Sequence, residues 1–584
     1  MNSTHIQVIA RRSATLYAIV FLVGLIVVIR LFQLQVLQHD YYSELALSEH
    51  EAKFTIPASR GTIYALDGDN EVPLVLNEVL PTVYVDPQGI EDERNDELAT
   101  QLGEILSIPK DEVMERLEQN DSRYQVIKKQ ISLDQADQIR DRELNGVGLA
   151  DESYRVYPQG MLAAQTLGFV NNEGSGQYGI EESINDRLAG VDGRYEAVTD
   201  VYGIPLTTAE DDVIEAPQDG ADVTLTIDVN VQKFVEDALA KGVKESQGQS
   251  GGAIVMDPNT GRVLAMANFP TYDPNKFAEQ KDFSVFTNDV VSAPYETGSG
   301  VKVLTMAAAI NEGAVTKDTT YFDSGSVRID DRLIENAGGG GGQRTMADVI
   351  QKSVNTGVVF ALQQIGGGEI NKQARDVLYD YFTNKYGFGA ATGITQANEA
   401  AGLLFSPDEE QGNNVRYANM TFGQGMTVTM LQMAAAVSSI VNGGDYYQPY
   451  LIDSYSNGGD TKTTTDPVLL REGVISAETS KDIRSMMKGV ISGGGGLVAQ
   501  RSGYSIGGKT GTAQVLDETT GLYDDDREIG SFVGFGGATT PEYVIMTRVD
   551  EPKIPGYAGT VAAAPIFAEI SNFMIDYYQI PPNQ

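Results

Sequence analysis

PYETGSGVKVLTMAAA, residues 294–309, places a serine and a lysine three positions apart at the start of an apolar run. Residues at this spacing lie on one face of a helix, so Ser299 and Lys302 are predicted to be neighbours. The start at Gly298 puts the serine in the first helical turn, where backbone N–H groups and the helix dipole favour developing negative charge. The apolar residues that follow are expected to desolvate Lys302 and lower its pKa. A neutral lysine amine could then accept the serine proton.

The composition limits what else could activate this serine. Of the 584 residues 41% are apolar, which is enough for packed cores in roughly three or four domains. There is no cysteine, and the only histidines are His5, His39 and His50. The rest of the chain therefore cannot contain a Ser-His-Asp triad, a thiolate nucleophile or a usual zinc site. We predict neither a metal nor a cofactor, and lysines and carboxylates remain as activating groups.

The charge balance argues against nucleic acid as a partner. Acidic residues number 81 against 42 basic ones, and the resulting net charge of -39 would repel a polyanion. The acidic clusters at residues 67–71 and 524–526 lack the glycine and the distal glutamate of a calcium loop. We interpret them as solvated turns.

An apolar run near the N-terminus predicts one membrane-spanning helix. It reads ATLYAIVFLVGLIVVI over residues 14–29, follows basic residues, and continues to Leu37. We predict a cytoplasmic tail at 1–13 and an anchor at 14–37 in the cell membrane, with everything after it outside. The alternative is a cleaved signal peptide, but the nearest small-x-small triplet, residues 46–48, lies beyond the run among charged residues.

The part outside the membrane is predicted to form two domains. Residues 38–216 mix short strand-like pieces with polar helical ones, such as DELATQLGEILSIPKDEVMERLEQ at 96–119. The acidic, turn-rich segment 207–220 marks a boundary.

Residues 217–584 have the pattern of an α/β domain. A strand and an amphipathic helix come first, followed by two strands around a turn at 257–261. Two more strands and a helix at about 563–578 close the chain, so we expect one sheet completed by both ends of the domain. Glycine runs at 338–342 and 493–496 are predicted to be flexible loops, either near a site or at the surface.

Spacing alone does not select the functional serine, because Ser-x-x-Lys occurs three times. Ser107 precedes a proline in an acidic stretch and Ser485 lies within a predicted helix, so both are better explained as solvated or packing positions. Only Ser299 is followed in order by Ser-x-Asn, at Ser353, and by Lys-Thr-Gly, at Lys509. This trio is the known motif set of penicillin-binding proteins and β-lactamases. GYSIGGKT at 503–510 also fits a P-loop, but a strand-like segment follows it where a P-loop needs a helix.

With these motifs the chain resembles class B penicillin-binding proteins, the D,D-transpeptidases of cell-wall synthesis. SRGTIYALDG, YPQGMLAAQTLGFV and GQYGIEESINDRLAG resemble the family's membrane-proximal and pedestal motifs, and LTIDVNVQ, YGFGAATGI, FGQGMTVTMLQMAAA and VAAAPIFAEI resemble its second domain. The resemblance covers residues 17–582. It implies a single N-terminal transmembrane helix, an elongated α+β pedestal domain at 38–216 and an α/β serine transpeptidase domain at 217–584, with an antiparallel sheet flanked by helices.

The resemblance implies roles for the first two motifs. Ser299 would be the acylated nucleophile and Lys302 its proton acceptor. Ser353 would relay protons, and Asn355 would hold the substrate amide.

The third motif would bind the end of the substrate, a stem peptide that terminates in D-Ala-D-Ala. Lys509 and Thr510 would shape the electrostatics around the terminal carboxylate. Thr512 would contribute a hydroxyl contact and, with Ser299, the two N–H groups of an oxyanion hole. The strand that carries Gly511 would present its edge to the extended peptide.

Three positions depart from the family pattern. Thr297 stands where proline is usual, Gly300-Val301 replaces Thr-Phe, and Asn398 replaces a glycine. Glycine in a first helical turn costs up to ~1 kcal/mol, so Gly300 is expected to loosen the support of the nucleophile.

The resemblance also implies partners and leaves alternatives. β-Lactams would be covalent inhibitors, and a septal, division-type enzyme would work with a membrane-embedded glycan polymerase and divisome proteins. An elongation-type transpeptidase and a D,D-carboxypeptidase are the catalytic alternatives. A membrane-tethered scaffold without catalysis is the non-enzymatic one, although a scaffold needs none of the motif residues.

Overall fold

A computed structural model of the chain describes residues 3–42, 51–198, 213–457, 462–517 and 522–583. The chain divides into two compact units, Met1–Ser59 with Gly190–Gly220, and Arg60–Ala189 with Ala221–Gln584.

The helices in chain order are α1 Ser3–Phe32, α2 Asn95–Leu106, α3 Lys110–Leu117, α4 Leu133–Asp141, α5 Ala164–Leu167, α6 Gly179–Ser183, α7 Asn185–Ala189, α8 Val229–Glu245, α9 Asp289–Ser292, α10 Lys302–Asn311, α11 Met346–Gln351, α12 Asn355–Ile365, α13 Lys372–Asp380, α14 Asn414–Met420, α15 Met430–Val441, α16 Ala477–Gly493 and α17 Ala564–Tyr577.

The strands in chain order are β1 Glu51–Ile56, β2 Ile63–Asp67, β3 Asn70–Val85, β4 Gln125–Lys128, β5 Val147–Val156, β6 Phe169–Val170, β7 Gly176–Gln177, β8 Gly193–Val198, β9 Val213–Glu215, β10 Asp222–Asp228, β11 Ser250–Met256, β12 Val263–Phe269, β13 Thr320–Asp323, β14 Ser326–Ile329, β15 Arg332–Glu335, β16 Gly342–Thr345, β17 Tyr446–Tyr447, β18 Ile452–Ser456, β19 Lys462–Thr464, β20 Leu469–Arg471, β21 Gly507–Asp517, β22 Leu522–Gly536 and β23 Tyr543–Asp550.

The first unit contains the apolar helix and a small antiparallel sheet. Arg11–Leu37 forms 27 helical residues with a mean hydropathy of 2.6 and no buried side chains, which is long and apolar enough to cross a membrane. The predicted N-terminal apolar helix is therefore confirmed. Strands β1, β8 and β9 pair in that order.

The second unit begins with a seven-stranded sheet in the order β19-β18-β10-β2-β3-β4, with β5 also paired to β3. Strand β10, which we expected at the start of the transpeptidase sheet, belongs to this sheet instead. It runs parallel to β2, with Val223 opposite Ile63. Six of its seven residues are buried, so its apolar run is explained by burial on both faces.

A five-stranded antiparallel sheet in the order β12-β11-β23-β22-β21 forms the centre of the predicted second domain. Its strands come from both ends of that domain, as predicted. Along β11, Ala253 and Val255 pack with α8 and α17, whereas Ile254 and Met256 pack into the larger core that contains α10, α12 and α15. Both faces are covered, so the sheet is flanked by helices, and strands β11, β12 and β23 are largely apolar along their length.

The predicted helical stretch at 96–119 is two helices, α2 and α3. Ser107 ends α2 with a left-handed backbone, φ +54°, and Lys110 begins α3. This Ser-x-x-Lys pair therefore spans a helix boundary and has no common helical face.

Candidate active site

Ser299 lies in the 3₁₀ turn Gly298–Val301, which leads directly into α10, so its predicted place in the first helical turn is confirmed. Its side chain is half-buried and lines a cleft of about 580 Å³. Within the described residues its hydroxyl makes no hydrogen bond, either to Lys302, its predicted proton acceptor, or to another group. The nucleophile candidate therefore faces the cleft unbonded.

Two glycines let this turn approach strand β21 closely. Gly298 has φ +54°, and a Cβ added there would lie 2.3 Å from the carbonyl oxygen of Thr512. A Cβ on Gly511 would lie 2.5 Å from the carbonyl oxygen of Thr297. Neither position can hold a side chain without a backbone shift, so glycine fixes the distance between the turn and the strand.

Lys302 is completely buried beneath Ser299. Its Nζ donates to the Ser353 carbonyl oxygen at 2.6 Å and to Asn355 Oδ1 at 2.6 Å, and lies 3.3 Å from Ser353 Oγ. Burial, and then the nearby charge of Lys509, lowers the pKa of Lys302 well below its ordinary value. The expected desolvation of this lysine is confirmed.

Lys509 reaches the same serine from β21. It is 1% exposed, and its Nζ donates to Ser353 Oγ at 2.9 Å and to the Thr510 carbonyl and hydroxyl oxygens at 2.8 and 3.2 Å. Burial lowers the pKa of Lys509 to about 7. The Ser353 hydroxyl thus lies between two buried amines, and their proximity and burial disfavour both carrying charge at neutral pH.

The Ser-x-Asn segment joins α11 to α12, where the sequence predicted it. Ser353 has a left-handed backbone, φ +58°, which turns its carbonyl and hydroxyl oxygens toward the same amine. Asn355 donates its Nδ2 to the carbonyl oxygen of Glu335 at 2.9 Å. One amide hydrogen of Asn355 is therefore already used, and its Oδ1 faces Lys302.

The remaining motif residues alternate along β21. Thr510 and Thr512 line the cleft, and Gly511 between them faces the backbone at Thr297. The Thr512 hydroxyl accepts a hydrogen bond from the Gly559 N–H at 3.2 Å. The structure thus brings together all eight predicted residues: five line the cleft, and the buried Lys302 and Lys509 and the packing glycine Gly511 lie behind them.

Both predicted glycine loops lie at this cleft, a choice that the sequence left open. Gly338 and Gly339 line one part of it, and Gly493, Gly494 and Gly495 line another. Further lining side chains belong to no sequence motif: Asn336, Arg344, Gln424, Gln514 and Glu528. Of these, only Gln514 could have been identified from the sequence, because it continues the period of two that places Thr510 and Thr512 on the cleft side of β21.

The three departures from the family pattern have different consequences. The Thr297 hydroxyl is buried without a hydrogen-bond partner among the described residues. A Cβ on Gly300 would meet only Met433 Cε, at 3.6 Å, so glycine is not required there. Asn398 has φ +61°, a conformation in which glycine is unstrained and asparagine is better tolerated than most residues.

The alternative motifs do not form comparable sites. Ser485 and Lys488 are exposed on α16. The P-loop candidate leads into strand β21, so no helix N-terminus follows it.

The fold and the cleft define an active-serine transpeptidase. Residues 251–572 match the family model for the penicillin binding protein transpeptidase domain, and residues 55–225 match the penicillin-binding protein dimerisation domain. The chain therefore belongs to the penicillin-binding protein family.

Known relatives span nearly the whole chain. Stage V sporulation protein D of Bacillus subtilis (strain 168) is 32% identical over 98% of this chain and 87% of its own length. The peptidoglycan D,D-transpeptidase FtsI of Escherichia coli (strain K12) is 28% identical over 97% and 91%. The crystal structure of penicillin binding protein 3 from Mycobacterium tuberculosis, complexed with aztreonam, is 26% identical with a TM-score of 0.69 and covers 91% of this chain and 98% of that one.

Proposed function

We propose that the chain is a peptidoglycan D,D-transpeptidase that cross-links stem peptides in cell-wall synthesis through an acyl-enzyme on Ser299. The observation that carries the proposal is the pair of buried lysines, Lys302 and Lys509, around the Ser353 hydroxyl beside an unbonded cleft serine.

The hydrogen bonds of Lys302 explain how it would act as a base. A neutral amine has two N–H groups and one lone pair. The Ser353 carbonyl oxygen and Asn355 Oδ1, both 2.6 Å away, can only accept, so together they use both N–H groups. The lone pair then points away from them and is free to take a proton.

The reaction would proceed in two balanced steps. Ser299 Oγ attacks the carbonyl carbon of the penultimate D-Ala, and its proton passes to Lys302, directly or through the Ser353 hydroxyl. The terminal D-Ala leaves as an amine after it takes up that proton. An acceptor amine of a second stem peptide then attacks the ester carbonyl carbon, so that a new C–N bond replaces the C–O bond to Ser299. The proton that the amine loses returns through Lys302 to Ser299 Oγ, which leaves as the free hydroxyl.

Strand β21 would position the donor peptide. It is the outermost strand of its sheet in the described part of the chain, so the edge opposite β22 can pair with an extended chain. Lys509 and Thr510 would bind the terminal carboxylate, and the N–H groups of Ser299 and Thr512 would hold the developing oxyanion. Loss of one such donor typically costs ~10²- to 10³-fold in rate.

The cellular setting is also part of the proposal. Arg11 and Arg12, which precede the apolar run of α1, favour a cytoplasmic N-terminus, with the catalytic domain outside. The similarity to FtsI favours a septal role, in which the anchor and the pedestal domain at 38–216 would contact a membrane-embedded glycan polymerase and divisome proteins.

Covalent labelling tests the nucleophile. Full-length protein in detergent is incubated with fluorescent penicillin, and the labelled peptide is identified by mass spectrometry. We expect one label, on Ser299, that is lost in Ser299→Ala and kept in the control Ser485→Ala. A label that survives Ser299→Ala would refute the assignment. Release of D-Ala from a donor peptide without transfer to an added amine would instead assign a D,D-carboxypeptidase.

A further inference from the structure

A buried carboxylate lies behind the Ser-x-Asn segment, outside all three motifs. Asp323 ends strand β13, and its side chain is 0% exposed. Its Oδ2 accepts from Arg344 Nε at 2.8 Å, and its Oδ1 accepts from Asn336 Nδ2 at 2.7 Å and from the Thr356 hydroxyl at 3.0 Å. The Gly325 N–H donates to the same Oδ1 at 3.0 Å.

These contacts connect two pairs of consecutive residues, 335–336 and 355–356, which are distant in sequence from each other. The Asn355 Nδ2 donates to the Glu335 carbonyl oxygen at 2.9 Å, and the next residue, Thr356, donates its N–H to Asn336 Oδ1 at 2.9 Å. Asp323 holds the side chains of Asn336 and Thr356 at the same time. The segments 335–336 and 355–356 are therefore fixed to each other by one carboxylate.

This arrangement decides which end of the Asn355 amide faces Lys302. With Nδ2 bound to Glu335, only Oδ1 can face the amine, and it accepts from Lys302 Nζ at 2.6 Å. If the amide turned over, Nδ2 would donate to the lysine lone pair and block it as a base.

We propose that Asp323, acting through Asn336, is a positioning residue that orients Asn355 so that Lys302 keeps its lone pair free for the proton of Ser299. This inference rests on the proposed function and extends it to a residue that does not touch the substrate. Arg344, which lines the cleft, is the cation that pairs with Asp323, and Tyr321 reaches the network through the Thr356 hydroxyl at 3.1 Å.

The electrostatics are consistent with a permanently charged carboxylate. Although burial opposes the charge, hydrogen bonds, led by the one from Arg344, hold the pKa of Asp323 below its ordinary value. Lys509 is the charged group that acts on Lys302. Asp323 therefore acts on Lys302 indirectly, through the hydrogen bonds that fix the orientation of the Asn355 amide.

The test measures the rate of acylation by fluorescent penicillin, from pH 5 to 10, in full-length protein. Asp323→Asn removes the carboxylate, and Asn336→Ala breaks the link to Asn355 while it leaves the Arg344 pair intact. Asp331→Asn is the control, because that carboxylate lies in the turn between β14 and β15, outside the network, with its side chain 81% exposed. We expect both network variants to acylate about 10- to 100-fold more slowly, as expected for a displaced catalytic group, and the control to match wild type.

The pH profile separates positioning from simple loss of stability. The charged form of Lys302 loses an acceptor when Asn355 turns, so the acid limb of the rate profile should move to lower pH in both network variants. A merely structural role would reduce the labelled fraction and leave the rate constant and the midpoint unchanged. Wild-type rates, or an unchanged or raised midpoint, overturn the inference. Asn336→Ala decides the matter if Asp323→Asn does not fold. Wild-type protein that is not acylated at Ser299 would refute the proposed function instead.

Discussion

The Ser299–Lys302 and Ser485–Lys488 pairs have the same spacing and different surroundings. The first opens a helix, and its lysine is completely buried and bonded to the Ser-x-Asn segment. The second lies within α16 with both side chains exposed. The comparison shows that spacing supplies only a common helical face, whereas function requires that other segments enclose the lysine and leave the serine free.

Replacement of the lysine in each pair is expected to give the largest difference between the two pairs, in the rate of acylation. Lys302→Met keeps the volume and removes the amine, and acylation by penicillin should fall about 10²- to 10⁴-fold, the usual contribution of a general base. Lys488→Met should acylate at the wild-type rate. Stopped-flow labelling of the two folded variants measures both rates, and equal rates would contradict the assignment of the base.

The next largest difference is expected in the pH dependence of stability, to which the buried Lys509 should contribute more than the exposed Lys488. The folded pKa of Lys509, about 7, lies below its unfolded value, so between these values the unfolded chain binds more protons. Stability should therefore rise with pH above 7, by at most about 1.4 kcal/mol per pH unit for this group. Lys509→Met should remove that share of the rise, and Lys488→Met should remove less, because its exposed side chain is far less desolvated than that of Lys509. Thermal unfolding from pH 7 to 9.5 checks this, and identical slopes in both variants would contradict it.

Alanine substitution of the two glycines on either side of Ser299 should give the smallest effects, and the two changes in the free energy of unfolding should have opposite signs. Gly298→Ala should destabilise the fold by about 1–3 kcal/mol and slow acylation, because its Cβ would collide with the Thr512 carbonyl in a left-handed conformation. Gly300→Ala should stabilise it by about 0.5–1 kcal/mol, since the space is open and alanine reduces the entropy of the unfolded chain. Thermal unfolding and labelling of both variants measure the difference, and a destabilised Gly300→Ala would show that the turn itself requires glycine.

Local sequence predicted the three motifs well because each one uses a short-range rule. Helical spacing placed Ser299, the gap between two helical stretches placed Ser353, and a strand-like pattern placed Lys509. The burial of Lys302 followed from the apolar residues around it in the sequence.

Long-range pairing limited the rest of the prediction. Strand β10 is apolar enough for either sheet, and only its partner β2, more than 150 residues earlier by sequence number, decides its place. Asp323 could not be predicted from a motif, because its hydrogen-bond partners Asn336 and Thr356 come from segments that meet only in the folded chain. The domain boundaries at 13, 37 and 216 stay predictions.

The two glycine segments that line the cleft differ in the space available for an added side chain. A Cβ on Gly494 would lie 2.6 Å from the Gln351 carbonyl oxygen, and one on Gly495 would lie 2.8 Å from the Thr560 hydroxyl. A Cβ on Gly338 would meet nothing within 4 Å. Selection for resistance to a bulky inhibitor can therefore narrow the cleft by substitution at Gly338, whereas Gly494 and Gly495 have no room for an added side chain.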